Sequence, residues 1–273
     1  MQVLTIVIGI LSCAPAGLAR QRPSYDNQTF AKRLSAAVRA GDTVELESLV
    51  RDRRRANTLV GSTPILVIAA SARQVKSCEF LLQRGADPMR RGRDGISALE
   101  AAVAMDSLQE CKLFRKWPKL MNAVDAGGVA PLYLAKSLPV VRFLLSHGAN
   151  PTARDHEGIR PLHVFADQGL SAIVDYLVKH TRQDVNTKDR SGNTPLIYVC
   201  LHAKNSNSPK TGSDLQVARI LVSAGANPHF QNRSGVSACS LALRSHWTEM
   251  TSVLHCADGR TGSPAPPPIR RRR

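Results

Sequence analysis

The sequence predicts an all-α solenoid of about six to seven helix-turn-helix repeats with β-hairpin fingers between them. Three observations carry that prediction. The stretch DRSGNTPLIYVC from Asp189 is echoed by DHEGIRPLHVFA from Asp155; both place an Asp, a Gly three residues on, then Pro-Leu, an apolar helix, a break and a second apolar helix. Anchored at the residue before the Pro, or its equivalent, the copies fall at Thr63, Ser97, Ala130, Arg160, Thr194 and Ser237, with spacings of 34, 33, 30, 34 and 43 residues. A period of this length marks a repeat array, in which each unit contacts only its neighbours. Hydrophobic content is 43% but aromatic content only 4%. The core must then be built from Leu, Val, Ile and Ala, which suits stacked helices better than a sandwich or a nucleotide-stacking platform.

At these residues the chain resembles the ankyrin repeat family. The family's motif stands as TPIL (Thr63 to Leu66), APLY (Ala130 to Tyr133), RPLH (Arg160 to His163) and TPLI (Thr194 to Ile197), and its end-of-repeat turn as GADP at Gly85 and GANP at Gly148 and Gly225. The resemblance covers roughly residues 30–256. SAL at Ser97 and SAC at Ser237 lack the Pro, and repeat lengths vary, so these repeats are expected to be locally less stable. In the family, the first residue of the motif and its His share a hydrogen bond, which implies that His163 is structural. The resemblance also implies a non-catalytic module that binds another protein through hairpin tips and the open face of the first helices. Mapped by register, those positions are Arg93 and Asp94, His156 and Glu157, Asp167 and Gln168, Arg190 and Asn193, His202, and Arg233 and Arg244.

Taken in order, residues 1–19 are apolar and end in small residues, as a signal peptide does, although no Lys or Arg precedes the apolar run. The run is too short to span a bilayer. This leader slightly favours export; a cytoplasmic or nuclear protein is the alternative. The repeat domain is expected over 29–256. Residues 29–50 read as a helical hairpin broken at Gly41, with Asp42 capping its second helix. Arg51 to Arg55 enters the next finger. Helices follow over 63–71 and 75–83. Pro at a first helical turn is tolerated because its missing N–H has no partner there anyway. Gly85, Gly148 and Gly225 follow helices and suit the left-handed conformation that ends them.

Repeat three ends on Trp117-Pro118 in place of a Gly-Ala turn. Repeat four is short, and repeat six carries a polar insertion, 203–213, read as a loop. Ser237 to Cys256 forms the C-terminal cap. Residues 257–273, rich in Pro with a terminal Arg run, cannot bury enough apolar surface to order themselves.

The sequence offers no phosphate-cradling Gly loop and no nucleophile with a partnering base. His246, His255, Cys239 and Cys256 lie near one another without zinc-ligand spacing. Catalysis, cofactors and metals are therefore not expected, and the chain is expected to be a monomer. Cys78, Cys111, Cys200 and Cys239 fall on core positions and read as small hydrophobes. Asn27 and Asn232 begin N-glycosylation sequons.

The net charge is +16, which bears on partners and not on fold. Arg53, Arg54 and Arg55 precede one finger, and Arg90, Arg91 and Arg93 lie in the next. If adjacent fingers stand about 10 Å apart, as packed helical layers do, these arginines merge into one basic patch. Arg grips carboxylate or phosphate with two parallel hydrogen bonds, so an acidic protein surface is the expected partner. Nucleic acid or another polyanion is the alternative. The residues expected to meet that partner are Arg54, Arg55, Arg91, Arg93, His156, Glu157, Asp167, Gln168, Arg190, His202 and Arg233.

Overall fold

A computed structural model describes residues 25–205 and 212–256; the leader and the Pro/Arg-rich tail lie outside them. The contacts divide the chain into two compact units. One ends at Ala123 and also takes Leu134–Lys136; the other takes Val124–Tyr133 and the chain from Ser137.

In the first unit, α1 (Tyr25–Ala40) and α2 (Thr43–Leu49) make the expected opening hairpin, with α1 starting earlier than the sequence suggested. Gly41 turns the chain at φ +71, and the Asp42 carboxylate accepts the Glu45 N–H to cap α2. Arg51 to Arg55 do not run straight into a finger. Asp52 accepts the Arg55 N–H and starts a one-turn helix, α3 (Arg53–Ala56). Two short strands follow, β1 (Leu59–Val60) and β2 (Thr63–Pro64), paired antiparallel with Leu59 opposite Pro64. The helix expected from Thr63 therefore begins at Ile65, because Thr63 and Pro64 are used in the hairpin.

Then come α4 (Ile65–Ser71), α5 (Val75–Gln83), α6 (Ala98–Ala104) and α7 (Leu108–Leu113). First helices pack on first helices (α4 on α6) and second on second (α5 on α7). All seven residues of α6, ALEAAVA, are buried; their small side chains let α4 approach closely. Without Pro, α6 starts on a capping box: Ser97 Oγ accepts the Glu100 N–H and the Glu100 carboxylate accepts the Ser97 N–H. Such a pair satisfies two of the free N–H groups at a helix start. Beyond α7 the chain tightens into 3-10 turns at Phe114–Lys116 and Pro118–Asn122.

Pro131–Leu134, whose last residue is counted with the first unit, form a 3-10 turn where a first helix would stand, and the second unit continues with α8 (Leu138–Ser146). The short spacer of repeat four leaves no room for a full helix. Next are α9 (Pro161–Asp167), α10 (Ser171–His180), α11 (Pro195–Asn205), α12 (Gly212–Ser223), α13 (Ala238–Arg244) and α14 (Thr248–Val253). Here α9, α11 and α13 stack in one row, and α8, α10, α12 and α14 in the other. The insertion is shorter than expected from sequence: helix continues through Asn205 and resumes at Gly212, so only its central residues, 206–211, lie outside the described set. Leu162, Phe165, Val174, Leu177, Leu196, Val199, Val217, Leu221 and Trp247 fill the core. Each fully buried side chain of this size favours folding by about 1.5–3 kcal/mol.

One expectation about the core is overturned. Cys239 is buried, but it is not a free thiol; it is bonded to Cys256 and ties α13 to the residues just past α14. The two lie 17 positions apart in sequence and face each other only once the helix pair closes, with Cα atoms 5.5 Å apart. Cys78, Cys111 and Cys200 are free and buried, as expected.

Candidate partner-binding surface

The fingers of the second unit are built from one local device. Asp155 Oδ1 accepts the N–H groups of Glu157 and Ile159, at 2.9 and 2.8 Å. Asp125 does the same for Gly127 and Val129, and Asn232 for Ser234 and Val236. A short carboxylate or amide that bonds its own backbone in this way closes a tight turn. The Gly three residues on takes positive φ, +82 at Gly192. It also permits close approach: a Cβ there would lie 3.0 Å from the Arg233 amide nitrogen.

That proximity is used. The N–H of His156 bonds the Gly127 carbonyl, that of Arg190 the Glu157 carbonyl, and that of Arg233 the Ser191 carbonyl, at 2.8–3.0 Å. The finger tips are thus zipped into a backbone ladder. His156, Glu157, Arg190 and Arg233 are all exposed.

Behind the tips, asparagines join one repeat to the next. The Asn57 amide donates to the Gly85 carbonyl at 2.9 Å, and its oxygen accepts the Asp87 N–H at 2.8 Å. Asn186 repeats both bonds to Gly225 and Asn227. His163 is buried against the same backbone. Its Nδ1 accepts the Arg160 N–H at 3.0 Å, so Nε2 carries the proton and donates to the Thr187 carbonyl at 3.1 Å. Burial lowers its pKa to about 4, despite the opposing pull of Asp189. An imidazole fixed at both nitrogens and kept neutral serves the fold and has no free atom for chemistry.

The free thiols are likewise inert. Burial raises Cys111 and Cys200 to about 12, and Cys78 is also raised; a protonated thiol is a poor nucleophile. No group of His, Cys, Asp or Glu among the described residues could hold a metal ion. Nor is any described helix long and apolar enough to cross a membrane.

Family models of the ankyrin repeat match residues 120–232, as three copies, and residues 60–93, as a single repeat. The matched segments together cover more than half of the chain. The chain belongs to the ankyrin repeat family. It is similar to the human transient receptor potential cation channel subfamily A member 1, with 32% identity over 43% of this chain and 10% of that protein. It also resembles the ANK repeat-containing protein nipk-1 of Caenorhabditis elegans, with 28% identity over 50% of this chain and 25% of the relative. Mouse Rabankyrin-5 is 36% identical over 29% of this chain and 7% of its own length. The chain therefore spans a quarter or less of each of these relatives. In fold it resembles an ankyrin repeat domain from Acinetobacter baumannii, with a TM-score of 0.60 at 22% identity, covering 70% of this chain and 96% of that one.

On this ankyrin framework the expected surface residues fall into distinct groups. In the first unit the segments that carry the two Arg clusters lie against each other. Arg90 Nη1 donates to the Asn57 carbonyl at 2.9 Å, and Gly85 lies against the side chain of Arg53. Arg54 and Arg93 are exposed. Arg55 is exposed along its length, but its guanidinium lies over the Phe30 ring and donates to the Leu49 carbonyl. Arg91 turns inward: it pairs with the buried Glu100 carboxylate at 2.6 Å and donates to the Gly95 carbonyl. That bond orients the Glu100 capping box, so Arg91 is a strut of its own finger.

In the second unit, Asp167 and Gln168 sit at the end of α9 and are only partly exposed. His202 lies on α11, and its side chain lies outside the described residues. Two tasks are not visible in the sequence. One is the Asn57 and Asn186 bridge, whose signal is an Asn just before each of two fingers. The other is the Arg91–Glu100 pair, whose nine-residue separation spans the finger and has no helical or strand period.

Proposed function

We propose that this chain is a non-catalytic interaction module that binds an acidic protein surface through its finger tips. Ankyrin repeats are generally protein–protein interaction modules, and the relatives found are ankyrin-repeat proteins. The observation that carries the reading to an acidic partner is the balance of charge on the fingers of the first unit. Residues 51–60 and 84–95 hold eight arginines against three aspartates. Each of those aspartates is committed to a turn or cap of its own segment: Asp52, Asp87 and Asp94 accept the N–H groups of Arg55, Met89 and Ile96. The exposed tips Arg190 and Arg233 extend the same chemistry in the second unit.

A general polyanion binder would use the same arginines, and salt separates the two readings. Binding through phosphate neutralisation loses affinity steeply and linearly in log salt, with little sequence preference. A protein interface depends on a few side chains and less on salt. The test is capture of partners by the full chain and by Arg54→Glu with Arg93→Glu. The expected result is one acidic protein, lost from the variant and held by the native chain at raised salt. Capture of nucleic acid alone, or a protein held equally by both, sinks the reading.

A further inference from the structure

Not every exposed side chain on the first unit's fingers is charged. Leu59 is 40% exposed and Met89 is 44% exposed, two of the large apolar side chains left in water among the described residues. The segments that carry them are tied together. Asn57, two residues before Leu59, bonds the Gly85 carbonyl and the Asp87 N–H, and its own carbonyl takes the Arg90 guanidinium, next to Met89. Leu59 is held in β1, and Met89 in a turn closed by Asp87 Oδ1 at 2.9 Å. Neither is needed to fill the core. The same two segments carry Arg53, Arg54, Arg90 and Arg93, all exposed. Arg54 and Arg93 form no ion pair among the described residues. An apolar centre inside an Arg rim is how protein interfaces are composed, with Met and Arg enriched and the charges at the edge. A thioether side chain also adapts its shape to what it meets.

We propose that this surface seats an acidic amphipathic segment: large apolar side chains rest on Leu59 and Met89, and flanking carboxylates are gripped by Arg54, Arg90 and Arg93. This rests on the acidic-partner reading and adds that charge alone is not sufficient. A hydrophilic polyanion leaves Leu59 and Met89 uncovered, whereas an acidic segment with Leu or Phe at helical spacing covers both features at once.

The experiment is fluorescence anisotropy on the full chain with two labelled peptides of equal length and equal negative charge. One combines Glu with Leu at helical spacing; in the other every Leu is Ser. Duplex DNA and phosphatidylserine vesicles serve as further probes. The Glu/Leu peptide is expected to bind at least tenfold more tightly. Met89→Gln, and separately Leu59→Ser with Met89→Ser, should abolish that preference while leaving the Glu/Ser peptide's affinity unchanged; an unaltered thermal melt shows that the variants fold. Equal binding of the two peptides overturns this inference and leaves the acidic-partner reading standing. Binding of neither peptide removes both. Tighter, salt-sensitive binding of the DNA or the vesicles than of either peptide assigns the surface to a polyanion and overturns it too.

Discussion

Glu110 carries a buried carboxyl on α7, and both of its oxygens lack a hydrogen-bond partner. Burial raises its pKa, against the weaker pull of Arg73. The folded chain therefore holds this proton to a higher pH than the unfolded chain does. Its contribution to stability is fully present at low pH and is lost as pH rises through the folded pKa. Replacing a partnerless buried acid by a similar apolar volume removes that penalty. Glu110→Leu should stabilise the protein by about 1–3 kcal/mol at neutral pH and flatten the pH dependence above the ordinary carboxylate range, as read by urea denaturation.

His163 has the opposite sign. Its pKa is lowered from 6.5 to about 4 by burial, so its stabilisation is present above pH 6.5 and is lost as pH falls toward 4. A shift of this size corresponds to roughly 3 kcal/mol. His163→Gln should lose less stability than the native chain between pH 7 and pH 4 in the same titration.

At the scale of the element, the finger rests on a glycine that no other residue replaces cheaply. At Gly192, φ is +82 and a Cβ would fall 3.0 Å from the Arg233 nitrogen that bonds the Ser191 carbonyl. Gly192→Ala combines left-handed strain with a backbone clash and should cost about 1–3 kcal/mol. Gly148 also takes positive φ, but a Cβ there would meet nothing within 4 Å, so Gly148→Ala brings the strain without the clash. The difference between their melting temperatures measures the value of close finger approach. The C-terminal helix pair has a different tie. Opening the Cys239–Cys256 bond frees a loop with a sequence separation of 17, and loops of that length are worth about 3 kcal/mol. Cys239→Ser, or a dithiol reductant on the native chain, should loosen α13 and α14 first, seen as faster amide exchange there than in α9 and α11.

For the molecule as a whole, stability in a repeat array is close to a sum of repeat and neighbour contributions. Opening should then follow the weakest repeat and not be uniform. Repeat four, with a 3-10 turn at Pro131–Leu134 in place of a first helix, offers few helical hydrogen bonds. Its amides are expected to exchange faster than those of Pro161–Asp167 and Pro195–Asn205. Equal protection across the three would show that neighbour packing outweighs local helix content.

By itself, the sequence determined the repeat, its period and its family. Asp, Gly, Pro and Leu at fixed spacing are local requirements: a turn that caps itself, a left-handed residue, a helix start without an N–H, and a core contact. The same locality made the exposed tips His156, Glu157, Arg190 and Arg233 legible, because period and turn chemistry together assign them to the outside. The tertiary structure alone decided pairings between residues far apart along the chain. It turned Arg91 inward to Glu100 while leaving Arg93 outside, set Asn57 and Asn186 across repeat boundaries, and brought Cys239 to Cys256. It also left both Glu110 carboxylate oxygens buried without a hydrogen-bond partner and tied the segment of Leu59 to that of Met89. A single sequence carries the local periods of helix and turn, but the distances that create such pairs arise only when one repeat is laid against the next.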